Sequence, residues 1–170
     1  MLEGRFVSPS AEPLQNPDGS MAYLIRDFTF SGSNWKLLLT AYGDPAQSVK
    51  LFEATVEGKY SLGKESIAAT EAVEADFSFE KVTMTPFIEP LVAMFNESKS
   101  GHGNWKIGDS QDVSQTGCMF FRPVGEYGME YDLVKLDGSK LYLGERPADN
   151  NMGSVELRPK SLTKNPVVRR

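Results

Sequence analysis

The chain has 170 residues, 40% hydrophobic and 24% charged, with 18 Lys and Arg against 23 Asp and Glu. A single globular domain over 1–170, long enough to bury its own core, fits these values. The net charge of −5 argues against nucleic acid as a partner, and one cysteine with one histidine excludes an internal disulfide and the common zinc sets.

The opening MLEGRFVSPS lacks the basic-then-apolar order of a secretory signal. No segment approaches the ~20 apolar residues of a membrane span. A cytoplasmic protein with no integral membrane part is therefore expected.

Alternation with a period of two dominates the chain. Over Met21–Ser31 one face carries Ala22, Leu24, Arg26, Phe28 and Phe30. Ser31-Gly32-Ser33-Asn34 supplies the turn into a second strand, Asn34–Tyr42, with Trp35, Leu37, Leu39 and Ala41 on one face. Gly43-Asp44-Pro45 ends it. Val49–Tyr60 sets Phe52, Ala54 and Val56 on one side. Ile67–Lys81 reads as one long, bulged strand with Ile67, Ala69, Val73, Ala75, Phe77 and Phe79 on a shared face.

A single helix is predicted over Phe87–Lys99, from the spacing of Phe87, Leu91, Val92 and Phe95. Thr85 and Pro86 suit its start, and Pro90 either sits in its first turn or moves that start to Glu89. Residues 96–117 are polar and Gly-rich and read as a long loop. Asp137-Gly138 between Met129–Leu136 and Ser139–Gly144 signals a tight hairpin. Gly153–Arg158 and Pro166–Arg169 are the last strand candidates. Eight to nine strands, one helix and no βαβ alternation give an all-β fold, and an antiparallel barrel is favoured over a sandwich because closure removes edge strands.

The residues that bear chemistry are few. His102, the only imidazole, sits in a Gly-rich loop, and Cys118 lies among apolar neighbours as an inert thiol. No metal-ligand spacing is present, and no cofactor is called for. Two charges stand on otherwise apolar faces: Arg26 between Leu24 and Phe28, and Glu71 between Ala69 and Val73. A charge facing a core is paired or meets a ligand. Arg26 is a candidate anchor for an acidic head, and Glu71 a partner for it or a general base. The aromatic residues Phe28, Phe30, Trp35, Phe52, Phe77 and Phe79 are candidate walls of an apolar pocket, or simply core.

Six segments carry a resemblance. Gly4-Arg5-Phe6-Val7-Ser8 looks like the Gly-x-Trp start of lipocalin-like (calycin) barrels, with Phe for Trp. Leu24–Phe30 followed by Tyr42-Gly43-Asp44-Pro45, then Val56–Tyr60, Glu74-Ala75-Asp76-Phe77 and Tyr131–Leu136, resembles the adenomatosis-polyposis-coli-down-regulated domain. That family comprises secreted or membrane-tethered Wnt inhibitors of animals. The resemblance implies a lipocalin-like barrel with a cavity for an apolar ligand. It also marks Arg26, Asp44, Glu74 and Asp76, with Asp44-Pro45 as a turn and Glu74 and Asp76 on a polar strand face. Where the family carries two cysteines, this chain has Ser10-Ala11-Glu12 and Ala46, so the disulfide and Wnt antagonism do not carry over.

The expected function is binding of a small apolar or amphipathic molecule in the barrel, with Arg26 as anchor. One alternative is an isomerase or cyclase on the same scaffold using Glu71, Tyr42 and Tyr131. Another is a filled barrel acting as an interaction module through the 96–117 loop and the basic tail at 159–170. The sequence leaves the oligomeric state open.

Overall fold

The computed structural model describes residues 1–16 and 18–170. In chain order its strands are β1 (Gly4–Val7), β2 (Glu12–Gln15), β3 (Met21–Ser31), β4 (Asn34–Tyr42), β5 (Lys50–Glu65), β6 (Val73–Ser78), β7 (Lys81–Pro86), β8 (Gln111–Asp112), β9 (Met129–Asp137), β10 (Lys140–Leu143) and β11 (Val167–Arg169). Among the described residues there is one α-helix, α1 (Glu89–Glu97). All pairings are antiparallel, and β1-β3-β4-β5-β6-β9-β10-β11 closes on itself through the β1–β11 ladder. The antiparallel barrel expected with eight to nine strands is thus present, with eight strands in its ring.

One end of the barrel has short connections: Gly32-Ser33, residues 66–72, and Gly138-Ser139. The N-terminal segment seals that end. Leu2 is buried, and the Tyr60 hydroxyl accepts from the Leu2 amide and donates to its carbonyl, both at 2.8 Å. Tyr60→Phe removes both bonds and leaves two buried backbone groups unpaired. A loss of about 1–3 kcal/mol is expected in urea unfolding.

The other end carries the long connections, residues 8–20, 43–49, 79–128 and 144–166. There β3 and β5 run on past the ring. β2 pairs with Met21–Leu24, and β7 pairs with Phe52–Glu57. Residues Leu91, Val92 and Phe95 of α1, with Trp105, Val113 and Cys118 of the following loop, join the same core as the barrel interior. None of the described helices is long and apolar enough to cross a membrane.

The register explains the faces. Phe28 pairs with Leu37, and Leu37 with Val56; Phe30 pairs with Trp35, and Tyr60 with Phe77. Paired residues share a face, so these side chains converge inward. Phe28 and Phe30 stack at 6.0 Å, and Phe30 meets Tyr60 edge-on at 5.2 Å, as Trp35 does Phe77 at 5.1 Å. Such ring pairs add stabilisation beyond the area they bury.

Several boundaries depart from expectation. Ile67–Lys81 is not one strand. Residues 66–72 form a turn closed by the Ser66 amide on the Ala72 carbonyl, and Ile67 is fully exposed. Pairing starts only at Val73. Lys81–Pro86, whose Thr85 and Pro86 suggest a helix start, is strand β7 with Val82, Met84 and Pro86 buried. The helix begins after Ile88, so Pro90 lies in its first turn, where its missing donor costs little. The 96–117 loop contains the short strand β8. Gly153–Arg158 contains a 3-10 turn over Val155–Leu157 rather than a strand.

Candidate functional site

Arg26 stands on the inner face of β3, toward the long-loop end. The chain between β1 and β2 breaks its pairing with β3 there, and Ser8 fills the gap. The Ser8 hydroxyl accepts from the Arg26 amide at 2.9 Å and donates to Glu12 Oε1 at 2.5 Å. The same carboxylate oxygen accepts from Arg26 Nε at 3.0 Å. Arg26 Nη2 donates to the Asn165 carbonyl at 2.8 Å, tying the site to the segment that precedes β11. The Arg26 and Glu12 side chains are 18% and 20% exposed, so the ion pair faces the mouth and is not sealed inside. Among the described residues Nη1 has no hydrogen-bond partner, which leaves much of the far edge of the guanidinium open.

The aromatic candidates divide. Phe28, Phe30, Trp35 and Phe77 are packed against one another in the barrel below Arg26. Phe79 caps Trp35 at 5.6 Å, and the Trp35 indole donates to the Ser78 carbonyl at 2.9 Å. Phe52 lies on the inner face near the long-loop end, 6.1 Å from Phe120.

Glu71 does not share this space. It is not on a strand at all but in the turn at the short-loop end, with φ +61°, and is paired with Lys135 at 2.5 Å. That contact holds its carboxyl below the usual range. Tyr42 pairs with Tyr23 on the outer face at the end of β4. Tyr131 is on the outer face of β9, beneath the Arg158 guanidinium at 5.5 Å. The three candidate catalytic groups therefore stand in three separate places. Asp44 forms its turn by accepting from the Val49 amide at 2.8 Å and the Ser48 amide at 3.0 Å. Glu74 and Asp76 face outward toward Arg158. Burial pushes the Cys118 thiol up to about 11, as suits an inert thiol.

A second polar cluster escapes the sequence reading. Glu130 and Asp132 on β9 are in register with Phe77 and Ala75, so both carboxyls face inward at the long-loop end. Glu130 takes both η nitrogens of the half-exposed Arg146, at 2.8 and 2.5 Å. Among the described residues the Asp132 carboxylate has no ion-pair partner, although Arg158 Nη1 donates to its backbone carbonyl at 2.6 Å, and Oδ1 accepts from the Leu133 and Gly144 amides at 2.7 and 2.9 Å. Burial pushes its carboxyl up to about 6. The sequence signal was present, since Glu130, Asp132 and the buried Val134 alternate, but it reads equally as the polar face of a half-exposed strand.

The profile of a family described as adenomatosis polyposis coli down-regulated 1 matches residues 1–108. That span runs from β1 through α1 and holds Ser8, Glu12 and Arg26, whereas Glu130, Asp132 and Arg146 follow it. With well over half of its length so matched, and with an eight-stranded antiparallel barrel as its fold, the chain belongs to the adenomatosis polyposis coli down-regulated family.

Proposed function

We propose that this chain is a cytoplasmic, non-catalytic barrel that takes a small amphipathic molecule at its long-loop end and holds an acidic head on Arg26. The observation that carries this reading is the placement of Arg26: on the inner face, between Leu24 and the buried Phe28, with Nη1 unpartnered among the described residues. Glu12 takes only the Nε side, so a carboxylate can approach the opposite edge. The apolar part of the ligand would lie against Leu24, Leu37 and Phe52, with the aromatic stack as the floor. Catalysis by Glu71, Tyr42 and Tyr131 has no support in their separation.

Native mass spectrometry of the protein purified from its own host tests this, and a retained organic mass is the expected result. Arg26→Leu should weaken binding of an acidic ligand about 10- to 100-fold, the range of one charged hydrogen-bonding contact, with a smaller effect on a neutral analogue. Equal losses for both would remove Arg26 from the anchor role. A second reading, a filled barrel acting as an interaction module, is favoured by the ring-on-ring packing of Phe28, Phe30, Tyr60 and Phe77. It predicts no retained mass and no melting shift across a lipid panel.

A further inference from the structure

We propose that the cleft formed by residues 96–106, on the outside of the barrel beyond α1, binds a small molecule through a phosphate group. The cleft is an open surface depression of about 720 Å³. Its ionisable lining is entirely basic: Lys99, His102 and Lys106, with no carboxylate. In a chain of net charge −5 this local sign is not inherited from the surface at large. Neither lysine has a carboxylate within 4 Å among the described residues, so both charges are free to meet an anion. Of the acids in the 96–117 segment, Glu97 ends α1, Asp109 accepts from Gln111 Nε2 at 2.7 Å and Asp112 accepts from the Ser114 amide at 2.9 Å; none of them lines the cleft.

The loop is built rather than slack. Gln111 is 2% exposed, and its side chain accepts from the His102 amide at 3.0 Å and donates to the Gly103 carbonyl at 2.9 Å. Asn96 accepts from the Trp105 amide at 2.9 Å, and the buried Trp105 indole donates to the Ser100 carbonyl at 2.8 Å. Burying a glutamine and a tryptophan fixes the backbone that carries Lys99, His102 and Lys106, whose side chains are exposed. Lys99 and Asn104 are non-glycine residues in the left-handed region, at φ +56° and +52°, a conformation more common at functional loops than elsewhere. The amides of Gly103, Asn104 and Lys106 make no hydrogen bond among the described residues and remain available to phosphate oxygens. The carbonyls at the end of α1, which would repel an anion, are partly covered by the amides of Ser98, Lys99 and Ser100.

This site is independent of Arg26 and of the reading above. The test is a titration of the full chain with inorganic phosphate at constant ionic strength, followed by amide and indole NMR shifts. Saturable, millimolar binding is expected, with shifts confined to residues 99–106 and the Trp105 indole. The double variant Lys99→Gln/Lys106→Gln should lose at least about fivefold in affinity with an unchanged melting temperature, and Lys160→Gln/Lys164→Gln should lose nothing. Acetate, with a single charge, should bind more weakly than phosphate. Linear shifts spread over the surface lysines, equal affinity in the double variant, or acetate binding as well as phosphate would each overturn the proposal.

Discussion

Gly58→Ala is expected to destabilise the barrel by about 3 kcal/mol or more, the upper range for overpacking a close-packed site. Gly58 lies on β5 opposite Trp35, where the chain leaves β6 and bends into β7 along the same edge of β5. At that bend the Ser78 carbonyl sits directly over the Gly58 α-carbon, and a methyl there would overlap its oxygen. The obstacle is backbone, so it cannot swing aside as the end of a long side chain does. The same oxygen accepts the Trp35 indole N–H, so displacing it leaves the donor of a buried core tryptophan unpaired. Both ways of accommodating the methyl are therefore costly: moving the β6–β7 bend or breaking the Trp35 bond. Gly125→Ala is the control, since a methyl there meets nothing within 4 Å and its backbone is not left-handed. Its effect should stay within about 0.5 kcal/mol. Urea unfolding of the two variants checks this, and a Gly58→Ala curve close to that of the control would show that the bend yields.

What could be read from the sequence follows physical lines. β3 and β4 match their expected bounds because alternation and a turn glycine agree: Gly32 takes the left-handed conformation that the two-residue turn requires. Residues 67–72 mislead for a different reason. Ile67 and Ala69 have the same parity as Val73, yet the Ser66 hydroxyl accepts from the Ala68 and Ala69 amides and winds them into a turn. Period-two counting sees apolar positions but not the side-chain bond that diverts the backbone. This is also why Glu71, counted with an inward face, ends up in solvent.

Arg26 was legible because a cation interrupts an apolar run within one strand. Its partners were not, because Glu12 and Asn165 reach it through the gap between β1 and β2 and through the ring closure, which are properties of the assembled sheet. Glu130, Asp132 and Arg146 are hidden for the same reason. Only the pairing of β9 with β6 turns two ordinary acidic positions inward.

Asp132→Asn is expected to stabilise the protein at neutral pH by about 2–3 kcal/mol, the free-energy equivalent of the displacement of this carboxyl. Burial raises it to about 6, and Glu130 on the same face adds to the rise; Arg146 and the Leu133 and Gly144 amides oppose it without cancelling it. The folded chain thus holds this proton more tightly than the unfolded chain, where an aspartate titrates near about 3.9. Its contribution to stability is fully present below about pH 4, is lost as pH rises to about 6, and is absent above. Asparagine keeps the Oδ1 acceptor for both amides and puts an uncharged nitrogen in place of an oxygen that has no partner among the described residues. The gain should therefore be largest at pH 7 and vanish near pH 4 when urea unfolding of the two proteins is compared across that range. Asp44 and Glu71, whose carboxyls are held low, act in the opposite sense but do so equally in both proteins, so the difference isolates Asp132. A difference that stays constant with pH would mean that the charge on Asp132 is already compensated in the fold. Arg146 and the two amides would then offset burial in full.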